Sequence, residues 1–312
     1  MSWVFVAGDR VYKLKKPVHY AFLDFRTLKA REKNCREEVR LNRRLAPNVY
    51  LGVVSLTVDE GGRFAISGRG EVIDWLVEMQ RLPDQLMLDQ AILTHRIDHG
   101  RTGLLDPVVD LLVDFYKTCP PAKISPSAYT QQFAREHAIN AAVLSDPRFD
   151  LDGAEVRDAL ARVRHGLDDG AASLKERVKR GRIVEGHGDL RPEHICLSDP
   201  PVIIDCLEFS HALRLVDPFD ELTYLTLECE ILDAGWVGEH IIEGCAEGLH
   251  DKPSPSLLDF YWTYRACLRA RLALAHLLEP NPRTPEKWVP LARRYLQLAQ
   301  SRALRPALRA VP

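Results

Sequence analysis

The chain has 312 residues, which is enough to bury a large core in one large domain or in two lobes. Its hydrophobic (46%) and charged (28%) fractions are those of a globular protein and exclude a disordered chain. A formal net charge of -2 excludes an overall basic field, and no apolar run reaches the roughly 18 to 20 residues that span a bilayer, so neither nucleic acid nor a membrane is expected as a partner.

The N-terminus and the cysteines indicate where the protein resides. The first residues show no basic segment followed by a long apolar stretch, and the seven cysteines are scattered without a Cys-x-x-Cys pair. An export signal is therefore not indicated, and reduced thiols are the simplest interpretation. We predict a cytoplasmic location.

The first 82 residues are predicted to be rich in strands. Strands are predicted at 3–6, 11–15, 50–58 and 70–79, and a helix at 27–46. The first two strands form a hairpin around a turn at residues 7–10, and Pro47 ends the helix. Alternation along the second strand places Lys13 and Lys15 on one face.

From Leu82 onward most of the chain has helical periodicity, and Pro83 marks the predicted boundary. Helices are predicted at 87–96, 106–118, 127–143, 153–178, 219–231, 236–248, 254–277 and 285–302. Short apolar strands are predicted at 183–184, 195–197 and 202–204, between the fourth and fifth of these helices. We therefore predict an α+β fold with a small strand-rich N-terminal lobe (1–82) and a large, mostly helical C-terminal lobe (83–312).

The strongest chemical signal is the run HGDLRPEH at 187–194, followed by VIIDCLEF at 202–209. Asp189 lies on a loop between two predicted strands, and Asp205 stands at the end of the next strand, so a hairpin would aim both carboxylates at one point. Phosphoryl transfer needs such a pair, one carboxylate for the attacking hydroxyl and one for the metal that bridges the triphosphate oxygens. Asp189 fits the first role and Asp205 the second.

This pattern resembles the H-G-D-L-x-x-x-N catalytic loop and the metal-binding strand of the aminoglycoside-phosphotransferase, choline-kinase and protein-kinase superfamily. The resemblance implies the protein-kinase-like two-lobed fold, ATP with Mg²⁺ as cofactors, and a hydroxyl of a small molecule as the phosphate acceptor. It also implies that Asp189 is the catalytic base, that His187 supports the loop, and that Arg191 touches the transferring phosphate.

One position departs from the family pattern, because His194 stands where the family has asparagine. An imidazole nitrogen is a softer ligand than an amide oxygen and suits Mn²⁺ or Zn²⁺ better than Mg²⁺. His194 is therefore either a metal ligand beside Asp205 or a loop residue that forms local hydrogen bonds. Catalysis with one metal, a different metal preference, and lost activity are all open.

The resemblance extends into the N-terminal lobe. The strand that carries Lys13 resembles the one whose lysine grips the α- and β-phosphates of ATP, with Lys15 as the rival on the same face. A glutamate of the following helix would hold that lysine, and the spacing to the apolar positions 41 and 45 favours Glu38 over Glu37.

The segment 78–83 lies where the family's hinge offers backbone groups to adenine, which implies Met79 and Leu82 as nucleotide-binding residues. Residues 216–222 resemble the family's D-P-x-x-D-L segment, which implies structural roles for Asp217 and Asp220.

The run from Trp3 to Val54 resembles a bacterial group in which such a kinase-like domain is often fused to a P-loop ATPase domain. The chain has no G-x-x-x-x-G-K-[ST] motif, so a P-loop ATPase would be a separate partner. Members of that group usually carry a further strand and turn before the tryptophan. Here the sequence begins at that point, so either its start is set too late or the phosphate-covering loop is incomplete.

Three functions remain open at this point. The first is an ATP-dependent phosphotransferase that acts on an unidentified small molecule. The second is a pseudokinase or nucleotide-binding scaffold, which His194 and the missing strand favour. The third is a metal-dependent hydrolase with four ligands, His187, Asp189, His194 and Asp205.

Overall fold

The computed structural model describes residues 2–20, 23–279 and 281–301. The chain divides into two compact units, one formed by Met1–Phe115 with His187–Leu215 and the other by Tyr116–Gly186 with Val216–Pro312. The segment with Asp189 and Asp205, which the sequence assigns to the C-terminal lobe, thus belongs to the first unit. The lobe boundary at residues 82 and 83 does not follow this division and stays a prediction.

Strands dominate the beginning of the chain and helices the remainder. Up to residue 118 the elements are β1 (Ser2–Ala7), β2 (Arg10–Lys15), β3 (His19–Tyr20), β4 (Leu23–Asp24), α1 (Leu28–Asn42), β5 (Tyr50–Val58), β6 (Phe64–Ile66), β7 (Glu71–Gln80), α2 (Leu88–Leu93) and α3 (Asp106–Thr118). They continue with α4 (Pro126–Leu144), α5 (Gly153–Lys179), β8 (Val184–Glu185), β9 (Ile195–Cys196), β10 (Val202–Ile203), α6 (His211–Arg214), β11 (Leu215–Val216), α7 (Pro218–Ile231), α8 (Gly235–Gly248), α9 (Pro255–Ala275) and α10 (Pro285–Gln300). This layout confirms the predicted α+β fold class.

The first unit contains a five-stranded antiparallel sheet in the order β1-β2-β7-β5-β6. Gly8 makes the turn between β1 and β2 with φ +61°, a conformation that glycine adopts without steric cost. In the middle of the sheet, Val11 of β2 lies opposite Met79 of β7, which also pairs with Tyr50 of β5. The sequence analysis predicts four of these five strands and misses β6, which has three residues and follows the Gly61-Gly62 turn.

Helix α1 packs its buried face on this sheet. Thr27 caps its first turn, with the hydroxyl accepting a hydrogen bond from Ala30 N at 3.2 Å. The helix ends at Asn42 rather than at the predicted residue 46, because the following residues form turns in which the Arg43 guanidinium donates to Tyr50 O at 2.8 Å. The small core beneath the helix consists of Cys35, Val39, Ala46, Val49, Tyr50, Val77 and Met79.

Two other predicted helices differ from the observed ones. Helix α2 stops at Leu93, short of the predicted residue 96, because His95 has a left-handed backbone with φ +53° that a helix cannot continue through. Residue 302, the last position predicted for the C-terminal helix, lies outside the described residues, as does the rest of the predicted C-terminal lobe up to residue 312.

The second unit is helical and has a core of aromatic and paired charged residues. Phe133 of α4 packs edge-on against Tyr264 of α9, with ring centroids 4.8 Å apart. Asp220 of α7 accepts two hydrogen bonds of 2.6 Å from Arg265 of α9, and both side chains are buried. None of the helices in the described ranges is long and apolar enough to cross a bilayer.

Candidate functional site

A chain of alternating charges crosses the interior of the first unit. Lys13 and Lys15 leave the same face of β2, and both reach Glu38 of α1. Lys13 Nζ donates to Glu38 Oε1 at 3.1 Å and contacts Asp205 Oδ1. Lys15 Nζ contacts Glu38 Oε2 and donates to Glu208 Oε1 at 2.5 Å. The five side chains form one ionic chain, in which a carboxylate stands at each end.

The two lysines of this ionic chain differ in their access to solvent. The side chain of Asp205 is 43% exposed and that of Lys13 is 15% exposed. The side chain of Lys15 is only 2% exposed, and that of Glu38 is 1% exposed. A ligand can therefore reach Lys13 and Asp205, whereas Lys15 is closed off by protein.

The ionic chain keeps its members charged. Burial alone would lower the pKa of Lys13, but the carboxylates of Glu38 and Asp205 raise it well above its usual value. Burial would likewise raise the pKa of Glu38, and the two lysines hold it below the usual range. The pKa of Asp205 is lowered against the effect of burial by Lys13 first and by His194 second.

The backbone around Asp205 is fixed from two sides. Asp205 has a left-handed backbone with φ +65°, a region that aspartate tolerates better than most residues with a side chain. Its N–H donates to the Tyr50 hydroxyl at 3.1 Å, and the N–H of Cys206 donates to Asn42 Oδ1 at 2.9 Å. Strand β5 and helix α1 thereby set the direction of the Asp205 carboxylate.

His187 joins the loop that carries Asp189 to the strand that leads to Asp205. The Asp189 N–H donates to His187 Nδ1 at 3.2 Å, so the ring proton is on Nε2, which donates to Ile204 O at 2.9 Å. Burial, and then the nearby His194, lowers the pKa of His187 to about 4. His187 is thus a buried neutral group with both ring nitrogens in use, as suits a residue that supports the loop.

The turn after His187 requires glycine. Gly188 has φ +86°, and a Cβ there would lie 2.9 Å from Leu207 Cβ and 3.0 Å from Arg214 Cγ. The backbone of the loop therefore packs directly against the segment that follows Asp205. This close approach brings the Asp189 and Asp205 segments together.

His194 lies between the two aspartates. Its Nδ1 is 2.8 Å from the carbonyl oxygen of Asp189, which can only accept, so Nδ1 donates. Its Nε2 accepts from Arg191 Nη2 at 3.2 Å and lies 3.6 Å from Asp205 Oδ2. The imidazole ring therefore lies between the two aspartates, bonded to the main chain of Asp189 and within 4 Å of both carboxylates.

These donors fit a divalent cation. His194 Nε2 and the Asp205 carboxylate lie 3.6 Å apart and are the kinds of ligand that Mn²⁺ accepts once Nε2 gives up its hydrogen bond from Arg191, while Mg²⁺ would use the carboxylate. Within the described parts of the chain, no cluster of three or more His, Cys, Asp or Glu side chains could hold a metal by itself. Further ligands would have to come from a bound molecule or from water.

The same geometry argues against the hydrolase with four protein ligands. That interpretation requires His187 as a ligand, but its Nδ1 already accepts a hydrogen bond and its Nε2 already donates one. A metal at this ring would have to displace buried hydrogen bonds that hold the loop.

The structure also places the remaining predicted residues. Arg191 Nη2 lies 3.2 Å from Asp189 Oδ2, and its Nη1 lies 2.6 Å from Glu193 Oε1, so Arg191 contacts the predicted base directly. Met79 is buried within the sheet. Leu82 follows the end of β7 and packs, partly buried, against the small core, so a role of either residue in binding adenine stays a prediction.

The sequence patterns miss three contributors to this site, namely Glu208, Tyr50 and Asn42. They indicate Lys15 only as a rival for the role of Lys13. The available signal is the spacing, since a second lysine stands two residues after Lys13 and a glutamate three residues after Asp205. Spacing alone does not reveal that the lysine and the glutamate meet.

Comparison with known proteins gives relatives without an assigned activity. No protein-family model matches the chain. Uncharacterized proteins of Mycobacterium tuberculosis and Mycobacterium bovis are 32% identical to it over 285 residues, which is 89% of this chain and 54% of theirs. The chain thus spans about half the length of the curated relatives it matches.

Solved structures show a likeness in fold. The GDP and kanamycin complex of APH(2″)-IIia aligns with 96% of this chain and 89% of its own, with a TM-score of 0.52 and 14% identity. An ethanolamine kinase of Plasmodium vivax aligns with 93% of this chain and 75% of its own, with a TM-score of 0.47 and 13% identity. On the first of these alignments, the chain has the protein-kinase-like two-lobed fold of the aminoglycoside phosphotransferases.

Proposed function

We propose that the chain is an ATP-dependent phosphotransferase that transfers phosphate to a hydroxyl of a small molecule. The observation that carries the proposal is the position of Lys13, whose ammonium contacts both Glu38 and Asp205 while the side chain stays partly exposed. A cation held at that point between a helix and the Asp205 segment suits phosphate oxygens beside a bound metal. The GDP in the APH(2″)-IIia complex supports a nucleotide as the ligand of this fold.

The remaining residues take roles that follow from their contacts. Lys13 would bind phosphate oxygens in exchange for its present contact with Asp205. Asp205 and His194 would hold Mg²⁺ or Mn²⁺, which would neutralise charge on the phosphates. Asp189 would orient the acceptor hydroxyl and accept its proton, and Arg191, now bound to Asp189, would turn to the transferring phosphoryl group.

ATP consumption by the purified chain, measured against pooled metabolites with Mg²⁺ and then with Mn²⁺, tests this proposal. We expect Asp189→Ala to bind nucleotide as before and to lose turnover by a factor of about 10² to 10⁴, the usual contribution of a general base. Asp84→Ala, which removes an exposed carboxylate, serves as the matched control. Equal turnover by Asp189→Ala would contradict the assigned role.

A nucleotide-binding scaffold is the second candidate, and one observation favours it. Arg191 binds His194 and also contacts the Asp189 carboxylate at 3.2 Å, so a protein cation already engages the predicted base. Nucleotide binding without turnover in both metals would support the scaffold.

His194→Asn restores the amide that the kinase pattern has at this position and so tests the choice of metal. For an active phosphotransferase we expect the unaltered chain to prefer Mn²⁺ and the variant to prefer Mg²⁺, because Mg²⁺ favours oxygen ligands. The same metal preference in both proteins would remove His194 from the metal site.

A cytoplasmic location and a P-loop ATPase partner belong to the proposal and rest on the sequence alone.

A further inference from the structure

The ionic chain contains more charged residues than phosphate binding requires. One lysine and one glutamate suffice to hold a cation near a phosphate, and Lys13 and Glu38 supply them. A second pair, Lys15 and Glu208, lies deeper in the first unit and is nearly closed to solvent. Burying two further charges is costly unless they are paired, so this pair calls for an explanation.

Glu38 is held by both lysines at once. Its Oε1 accepts from Lys13 at 3.1 Å, and its Oε2 contacts Lys15. Lys15 is in turn held by Glu208, whose carboxylate is 2.5 Å from Nζ. The orientation of the Glu38 carboxylate is therefore fixed at each oxygen, and Lys15 supplies the contact that solvent cannot reach.

The two ends of the ionic chain belong to one short segment of the backbone. Asp205 binds Lys13 and Glu208 binds Lys15, so the lysines of β2 hold the segment 205–208 at two points. When Lys13 exchanges Asp205 for a phosphate group, one of these points is released. Lys15 and Glu208 keep the other.

We propose that Lys15, held by Glu208, is a positioning residue for the nucleotide, because it fixes the Glu38 carboxylate and so keeps Lys13 directed at the phosphates after Lys13 leaves Asp205. This inference rests on the proposed function. Lys15 does not itself touch the nucleotide, since its side chain is 2% exposed. It acts through Glu38.

The affinity for MgADP and the thermal stability of four proteins test the inference: the unaltered chain, Lys15→Met, Lys15→Met/Glu208→Gln, and Lys16→Met. Methionine keeps the apolar stem of the lysine and removes its charge, and the double variant removes opposite charges together. Lys16 lies over the Trp3 ring, 5.5 Å from the centroid, and provides a neighbouring lysine outside the ionic chain.

We expect Lys15→Met to weaken MgADP binding by a factor on the order of 10 to 100, as loss of an outer hydrogen-bond partner does at metal sites. We expect Lys16→Met to bind like the unaltered chain. The double variant separates positioning from stability, because it should recover the melting temperature that Lys15→Met loses but not the affinity. If Lys15→Met does not fold, the affinity of the double variant for MgADP alone shows whether Lys15 positions the nucleotide.

Recovery of affinity together with stability in the double variant would overturn the inference and reduce Lys15 to a structural residue. Unchanged affinity in folded Lys15→Met would overturn it as well, while leaving the proposed function intact. Absence of ADP binding by the unaltered chain, with Mg²⁺ and with Mn²⁺, would instead overturn the proposed function and the inference with it.

Discussion

Replacing Asp217 should test how much a single buried carboxylate contributes to the helical unit. Asp217 caps α7, where its Oδ1 accepts from Phe219 N at 3.0 Å. The same carboxylate accepts from Arg177 Nε at 2.5 Å and Nη2 at 2.7 Å, and from the Tyr261 hydroxyl at 3.0 Å. It is fully buried, so Asp217→Ala leaves four donors without their acceptor.

The size of the effect follows from these contacts. Removing one partner of a buried ion pair costs about 3 to 5 kcal/mol. A lost helix cap adds about 1 kcal/mol where the effects are independent. Asp251 still binds Arg177 through two contacts of 2.7 Å, so the guanidinium keeps a carboxylate. We therefore expect the lower end, a loss of about 3 kcal/mol in the free energy of unfolding.

Urea denaturation followed by far-UV circular dichroism measures this loss. The matched control is Asp146→Ala, since Asp146 also accepts from a backbone N–H, of Arg148, and binds the Arg148 guanidinium, but in an exposed setting. That variant should lose much less of its free energy of unfolding than Asp217→Ala, because solvent screens its contacts. Equal losses in the two variants would refute the argument that burial makes the Asp217 contacts strong.

Three further predictions concern buried groups. The low pKa of His187, about 4 against the usual 6.5, means that between these values the unfolded chain binds a proton that the folded chain does not. Stability should fall by about 2 kcal/mol from pH 7 to pH 5 through this group, and an unchanged pH dependence in His187→Gln would contradict that. Cys119 is partly exposed and the other six cysteines are buried, so a thiol reagent should modify about one cysteine in the folded protein and all seven in denaturant. Rapid reaction of several cysteines in the folded protein would show that the core opens. Asn140 is buried with neither side-chain polar atom hydrogen-bonded, so Asn140→Leu should raise the free energy of unfolding by about 1 kcal/mol or more. The control Asn42→Leu should lower it, because it breaks hydrogen bonds to Glu38 O and Cys206 N. A loss of stability in both variants would indicate a hidden partner of Asn140.

Local patterns predict the secondary structure well where strong signals bound an element. Strand β5 spans the predicted residues 50–58, and α3 spans the predicted residues 106–118. Short strands such as β3 and β4, of two residues each, carry too little periodicity to be predicted. The early end of α2 depends on a left-handed residue, His95, which is not glycine and therefore gives no signal in the sequence.

The functional site likewise has one part that the sequence predicts and another part that it does not. Lys13, Glu38 and Asp205 are assigned from motif and spacing, and the structure brings these three together. The contact between Lys15 and Glu208 joins residues that are 193 positions apart, so no local pattern can indicate it. Lysine side chains are also mostly exposed in proteins, so the sequence favours a solvent-exposed Lys15.

The two-residue spacing of the lysines on β2 also limits how the chain can vary in length. An insertion or deletion of one residue between Lys13 and Lys15 would turn one ammonium to the opposite face of the sheet and leave a carboxylate in the interior without its counter-charge. The exposed turn around Gly61 and Gly62, by contrast, joins β5 to β6 away from the ionic chain and can change length freely. Homologues should therefore differ in length at that turn and keep the 13–15 interval constant.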